Sequence, residues 1–120
     1  MALTTLTRSP RRAPDLVVCM APEGSATVVT LLGKADLTTL PLVTDTLDRV
    51  IGDHRGPVIM ELAEIHFIDS AMVRALSQAS RALGERGRQL TIRSPSPAAV
   101  RVLELFGLSQ LIVPGRNDGQ

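Results

Sequence analysis

Apolar residues recur along this chain first in short strand-like runs and then at helical spacing, and the order of the two predicts an architecture. Leu16 to Met20 and Ala26 to Leu32 are Val-rich runs separated by Pro22-Glu23-Gly24, the signature of two strands joined by a tight connection and paired as a hairpin. After Gly33, Leu40, Val43, Leu47, Val50 and Ile51 recur at helical spacing. Thr38 or Thr39 stands where a cap belongs, and Pro41 falls in the first turn, where its missing N–H costs little. This helix is expected to end near Gly52. Pro57 opens Val58 to Leu62, apolar on both faces, which predicts a central strand covered by helices on at least one side. From Ser70 onward, Val73, Leu76, Ala79 or Ser80, and Leu83 form an apolar stripe, with Arg74, Gln78, Arg81 and Glu85 outside it and Gly84 and Gly87 marking the end. Gln89 to Arg93 reads as a fourth strand. Ser94-Pro95-Ser96-Pro97 then forms a stiff turn into a helix over Ala98 to Phe106, with Gly107 as its C-cap.

Two strands followed by helix, strand, helix, strand, helix imply a small α/β fold. The expected sheet is mixed and about four-stranded, with right-handed crossovers and helices packed mainly on one face. Function in such folds sits in loops at the carboxyl ends of the parallel strands. Gly33-Lys34-Ala35-Asp36 and Phe67-Ile68-Asp69-Ser70 both fall there. Residues 1–14 lack apolar periodicity and contain two prolines, so they are expected to form a flexible tail, residues 15–114 one domain, and residues 115–120 a second short tail.

Composition narrows the function classes. At 120 residues the chain holds one core and no separate catalytic domain. Apolar residues make up 44%, yet Trp and Tyr are absent and Phe occurs twice, so the core is aliphatic and the stacking platforms of single-strand nucleic-acid binders are missing. Thirteen basic against twelve acidic side chains leave a net charge of +1, too weak a field to recruit a phosphate backbone. Nucleic-acid and polybasic membrane partners are therefore not expected. The single cysteine, Cys19, excludes an internal disulfide and a thiolate cluster. It lies among Leu16, Val17 and Val18 as a buried small apolar residue would, which suits a reducing cytoplasm. No run approaches the roughly 20 apolar residues of a spanning helix, and the N-terminus has no signal-peptide pattern. No zinc-ligand spacing or phosphate-binding glycine motif occurs, so neither metal nor cofactor is expected.

The chemistry concentrates at Ser70, where an apolar strand runs through Asp69-Ser70 straight into an amphipathic helix. A hydroxyl there has three possible roles: helix cap, nucleophile or phosphate acceptor. As a nucleophile, Ser70 would need His66 as base and Asp69 or Asp36 as orienting group. The neighbours Ile68, Asp69, Ala71 and Met72 lack the glycines of a strained hydrolase elbow, and residues clustered in one turn rarely reach triad geometry. As a phosphate acceptor, Ser70 would gain about 1.5 to 2 negative charges, stabilised within the protein by the helix N-terminus and repelling a partner docked on the same surface. His54, in the Gly52-Asp53-His54-Arg55-Gly56 turn, and Glu61, on the third predicted strand, read as solvated or locally bonded residues.

Gly33-Lys34-Ala35-Asp36-Leu37-Thr38 followed by an amphipathic helix resembles the G-x-x-D-L-[ST] segment of STAS domains, the family of bacterial anti-sigma factor antagonists. Val58 to Ser70 resembles the second signature of that family, an apolar strand with an acidic residue, here Glu61, leading to F-[IM]-D-S. Gly87 to Ile92 and Ser96 to Leu108 match its last strand and helix, so the resemblance covers roughly Asp15 to Pro114. It implies a non-enzymatic binding module whose partner is an anti-sigma factor of the GHKL type, which is also an ATP-dependent serine kinase. The unmodified protein would bind this kinase and release a sigma factor, phosphorylation of Ser70 would end binding, and a phosphatase would reset the switch. It further implies a cytoplasmic protein, monomeric or weakly dimeric, that does not insert into membranes. The surface so implied comprises Asp36, Leu37, Thr38, Thr39, Ile68, Asp69, Ala71, Met72 and Arg74. One departure stands out: the family continues D-S-[ST]-G-[LV], whereas this chain has Asp69-Ser70-Ala71-Met72-Val73. Ala71 leaves Ser70 as the sole acceptor of the turn. Met72 is expected either to fill a partner pocket or to mark a STAS module regulated without phosphorylation, such as a subunit of a membrane-associated complex.

Overall fold

The computed structural model describes residues 10–113. Within them lie five strands, β1 (Arg11–Ala13), β2 (Leu16–Glu23), β3 (Ala26–Ala35), β4 (Val58–Ile68) and β5 (Leu90–Arg93). Three helices, α1 (Leu40–Asp53), α2 (Ser70–Gly84) and α3 (Pro97–Leu105), and a single 3₁₀ turn at Ser109–Leu111 complete the described residues. The strands form one sheet in the order β1-β2-β3-β4-β5. The first three are antiparallel, and β3, β4 and β5 are parallel neighbours with α1 and α2 as their crossovers. This is the mixed α/β sheet that the chain order implies, with one strand more.

The additional strand is β1, within the stretch expected to be a tail. Arg11–Ala13 pairs with the edge of β2 and places Arg11 opposite Val18. The Arg11 guanidinium donates to Asp45 of α1 at 2.5 Å, so an edge strand with no apolar pattern of its own is held by its ladder and one ion pair. Residues 1–9 of that expected tail and the tail expected from residue 115 lie outside the described residues.

Period-2 alternation sorts the sheet into two faces. Val18 opposite Leu31, and Val29, Met60 and Ile92 in one row, are buried in a core that also takes Val43, Leu47 and Val50 of α1, Met72, Leu76 and Leu83 of α2, and Ala99 and Leu103 of α3. The alternate row, Cys19, Thr30, Glu61 and Arg93, is half-buried. Cys19 thus falls on the outer face and not in the core, because its neighbours Leu16 and Val18 occupy the inward positions. On that face Arg93 bonds both Glu61 (2.7 Å) and Glu23 (2.8 Å), which raises the pKa of its guanidinium, Glu23 contributing most.

β4 runs six residues beyond the expected Val58–Leu62. Two register shifts against β3 interrupt the alternation after Glu61 and carry the strand on until Ile68 stands opposite Ala35. Beyond that pair the Asp69 N–H donates to the Ala35 carbonyl (3.1 Å), so the loops leaving β3 and β4 emerge side by side. Gly33 serves the same junction. Its φ of +118° and the Lys34 N–H to Asp15 carbonyl bond (2.8 Å) bring the two backbones so close that a Cβ at Gly33 would lie 2.3 Å from the Asp15 oxygen.

Candidate functional site

The β3–α1 loop is organised by one carboxylate. Asp36 Oδ1 accepts from the Thr38 N–H (3.0 Å), the Thr38 hydroxyl (2.7 Å) and the Thr39 N–H (3.2 Å). These donors, the Thr38 hydroxyl foremost, hold the Asp36 pKa below the usual carboxylate range. Thr39 occupies the N-cap position of α1, as one of the two expected candidates, but its hydroxyl makes no cap. It accepts from the Asp36 N–H (3.0 Å) and faces the Lys34 and Asp36 carbonyls, each at 3.1 Å, so it closes the loop behind it. Pro41 lies in the first turn as expected.

Asp69 performs the capping at α2. Its Oδ1 accepts from the Met72 N–H (3.1 Å), and its Oδ2 accepts from the Leu37 N–H (2.9 Å), 32 residues away. A single carboxylate therefore ends one helix and ties the neighbouring loop to it. The role of cap weighed for Ser70 belongs to its neighbour. Ser70 is the first residue of α2, exposed, and among the described residues its hydroxyl has no hydrogen-bond partner. A helix N-terminus favours negative charge at such a position.

Burial divides the expected surface. Leu37 is 66% exposed, Thr38, Ser70 and Arg74 are exposed, and Asp36, Asp69 and Ala71 are partly so. Thr39 and Ile68 are buried, one turned back on its own loop and the other ending β4 in the core, so neither side chain can meet a partner. Met72 is 0% exposed, which corrects the expectation that its side chain fills a partner pocket. Its place in the stripe Met72, Leu76, Ala79, Leu83 was the signal, at spacings of four, three and four residues. Three apolar side chains absent from the expected surface are exposed: Phe67, Leu105 and Phe106. Spacing alone would put Phe106 on the buried stripe, at i+7 from Ala99 and i+3 from Leu103; it is exposed because α3 ends at Leu105 and Phe106 is its C-cap, which the stripe does not reveal. Gly107, with φ of +75°, closes that helix and lets the Leu108 N–H bond back to the Leu103 carbonyl (2.9 Å), as a C-terminal glycine does. Phe106 and Leu108 then border a hollow of about 190 Å³ whose other walls are Ser70, Val73, Arg74 and Ser77.

The residues needed for hydrolysis are not linked. His66 is exposed at the second register shift of β4, Asp36 faces its own loop, Asp69 is held by two backbone amides, and no hydrogen bond among the described residues joins any of them to Ser70. Glu61 bonds Arg93, the local role read for it. No cluster of metal-ligating side chains occurs among the described residues, and no helix among them is long and apolar enough to cross a membrane.

A mixed sheet whose parallel strands β3 and β4 end in two stapled loops beside an exposed helix-start serine defines a small α/β domain with its candidate site at those strand ends. The chain belongs to the STAS domain family: the family model described as "Mlab, STAS domain" matches residues 20–114. Among solved structures, an anti-sigma factor antagonist from Mycobacterium paratuberculosis is similar at a TM-score of 0.76 and 22% identity, over 90% of this chain and 92% of that one. The anti-sigma factor antagonist SpoIIAA in its unphosphorylated form is similar at 0.74 and 17% identity, over 85% and 90%. The Bacillus cell fate determinant SpoIIAA in its phosphorylated form is similar at 0.68 and 17% identity, over 85% and 93%. Likeness at these identities establishes the fold. No curated protein matches the sequence significantly.

Proposed function

We propose that this chain is an anti-sigma factor antagonist whose binding surface is the Asp36–Thr38 loop, the Asp69–Ala71 turn and the exposed face of α2 at Arg74, and that Ser70 is its phosphorylation switch. The partner is an anti-sigma factor that is also a GHKL-type serine kinase, and the setting is the cytoplasm. In the switching step the Ser70 oxygen bonds the γ-phosphorus of ATP held by the kinase, the bond to the departing ADP breaks, and the hydroxyl proton passes to a base on the kinase. A phosphatase reverses the state by hydrolysis. The observation that carries this reading is the division of labour at the turn. Asp69 makes the cap and the staple, which leaves the Ser70 hydroxyl exposed and without a structural task. A structural neighbour known in both unphosphorylated and phosphorylated forms supports it.

The experiment is a kinase reaction. The full chain is incubated with ATP and the GHKL-type proteins of its own cell, and the modified peptide is located by mass spectrometry. Phosphate on Ser70, lost in Ser70→Ala, is the expected result; phosphate elsewhere, or on none of the chain, overturns the proposal. A second reading has one observation in its favour, since the matching family model carries the name Mlab and not that of an antagonist. On that reading the same surface joins another complex without phosphorylation, and Ser70→Asp binds its partner as well as the parent.

A further inference from the structure

Ser70 and Arg74 stand four residues apart in the first turns of α2, a spacing that puts their Cβ atoms about 5–6 Å apart on one helix face. Both line the hollow that Val73, Ser77, Phe106 and Leu108 complete. Arg74 is the single charged residue of that lining. It is exposed, and it forms no ion pair among the described residues, whereas Arg11, Arg49 and Arg93 each have a carboxylate. The hollow, at about 190 Å³, is below the roughly 300 Å³ at which small-molecule sites begin. It suits one apolar side chain.

The geometry points to Arg74 as the receptor, within this chain, of the phosphate on Ser70: the pair they form closes the mouth of a hollow that otherwise takes an aliphatic side chain of the partner, flanked by a partner carboxylate on Arg74. This rests on the phosphorylation of Ser70 proposed above and adds how the switch is read. A phosphoserine preceding an arginine by four residues has the favourable acid-then-base orientation on a helix. The guanidinium fork can hold two phosphate oxygens, and the N-terminal end of α2 favours the same charge. In the unmodified protein the partner uses Arg74 and the hollow together. After modification the phosphate, tethered one turn away, takes the guanidinium first and closes the mouth of the hollow, so the partner loses a charge partner and a seat at once and also meets a new negative group. The switch therefore needs no movement of the backbone.

The first test uses the full chain carrying phosphoserine at position 70, whose phosphorus resonance is followed through a pH titration. The second phosphate ionisation, near pH 6 in a free phosphoserine, should be lowered in the parent. Arg74→Ala should raise it by about half to one unit, and Arg74→Lys by less. Equal midpoints in parent and Arg74→Ala overturn the pairing. This readout requires no partner. The second test measures affinity for the anti-sigma factor identified in the kinase reaction. Arg74→Ala should weaken binding of the unmodified protein about tenfold, and Ser70→Asp should then cost less in that background than in the parent. Unchanged affinity on Arg74→Ala overturns the partner's use of Arg74. If the parent binds no anti-sigma factor, the proposed function fails, and the phosphorus titration still decides the pairing.

Discussion

Asp69→Ala tests whether one carboxylate holds both halves of the surface. It removes the Met72 cap bond (3.1 Å) and the Leu37 bond (2.9 Å) together. An N-cap is worth about 0.5–2 kcal/mol, and a hydrogen bond to an exposed amide about 0.5–1.5 kcal/mol, so the loss should be about 2 kcal/mol. For a domain of this size about 4 °C of Tm is lost per kcal/mol, which gives a fall of roughly 8 °C. Asp69→Asn separates the two bonds. Asn caps as well as Asp but offers one acceptor oxygen, so the cap persists, the Leu37 bond is lost, and Tm falls by roughly 4 °C. Thermal unfolding followed by circular dichroism gives the totals. Amide hydrogen exchange gives the partition: Asn should speed exchange at Leu37 alone, and Ala at both Leu37 and Met72. A Tm for Asp69→Ala within about 1 °C of the parent, or equal acceleration at both amides in Asp69→Asn, would refute the two-bond account.

Three further outcomes follow from the same geometry. Met72→Ala should cost about 2–4 kcal/mol in urea unfolding while leaving the affinity of the folded fraction for its partner intact, and Met72→Leu less than about 1.5 kcal/mol; lost affinity at unchanged stability would return Met72 to the interface. Because the folded-state pKa of Asp36 is lowered, its contribution to stability is complete above the unfolded value near pH 4 and disappears as pH falls through the folded value, chiefly through the Thr38 hydroxyl. Thr38→Val should move the Asp36 carboxyl titration, read by NMR, upward towards the ordinary range, and an unmoved midpoint contradicts that cause. Gly33→Ala, with φ of +118° and a Cβ 2.3 Å from a backbone oxygen, should cost more than about 3 kcal/mol, and a variant melting near the parent would rule out that close approach.

The fold was largely legible because its elements carry strong periods. The stripes of α1 and α2 and the turn glycines and prolines marked every helix and the order of strands. What the sequence hid had physical causes. β1 is three residues, RRA, held by pairing with β2 and by Asp45, and neither influence shows in a local pattern. The far half of β4 escaped because register shifts break the period of two on which strand reading depends. At the site, Ser70 and the two loops were legible from the strand-to-helix junction. The assignment of the cap was not, because Asp and Ser are equally good caps and only geometry distinguishes adjacent positions. Met72 was misread because the stripe was begun at Val73, one residue late. Arg74 is exposed, as its position outside the α2 stripe implies, but Phe106 joins it at the same hollow only through the turn at Gly107, some thirty residues along the chain, a juxtaposition no spacing rule contains.

On the proposed function, charge at Ser70, and nothing else at that turn, ends partner binding. The most direct measurement is the affinity of the purified anti-sigma factor for the parent, Ser70→Ala, Ser70→Asp and the Ser70-phosphorylated protein, with unfolding curves for each. All four should fold, Ser70→Ala should bind as the parent does, and the phosphorylated protein should bind at least about a hundredfold more weakly, with Ser70→Asp between them. Equal affinity for the parent and the phosphorylated protein would contradict it.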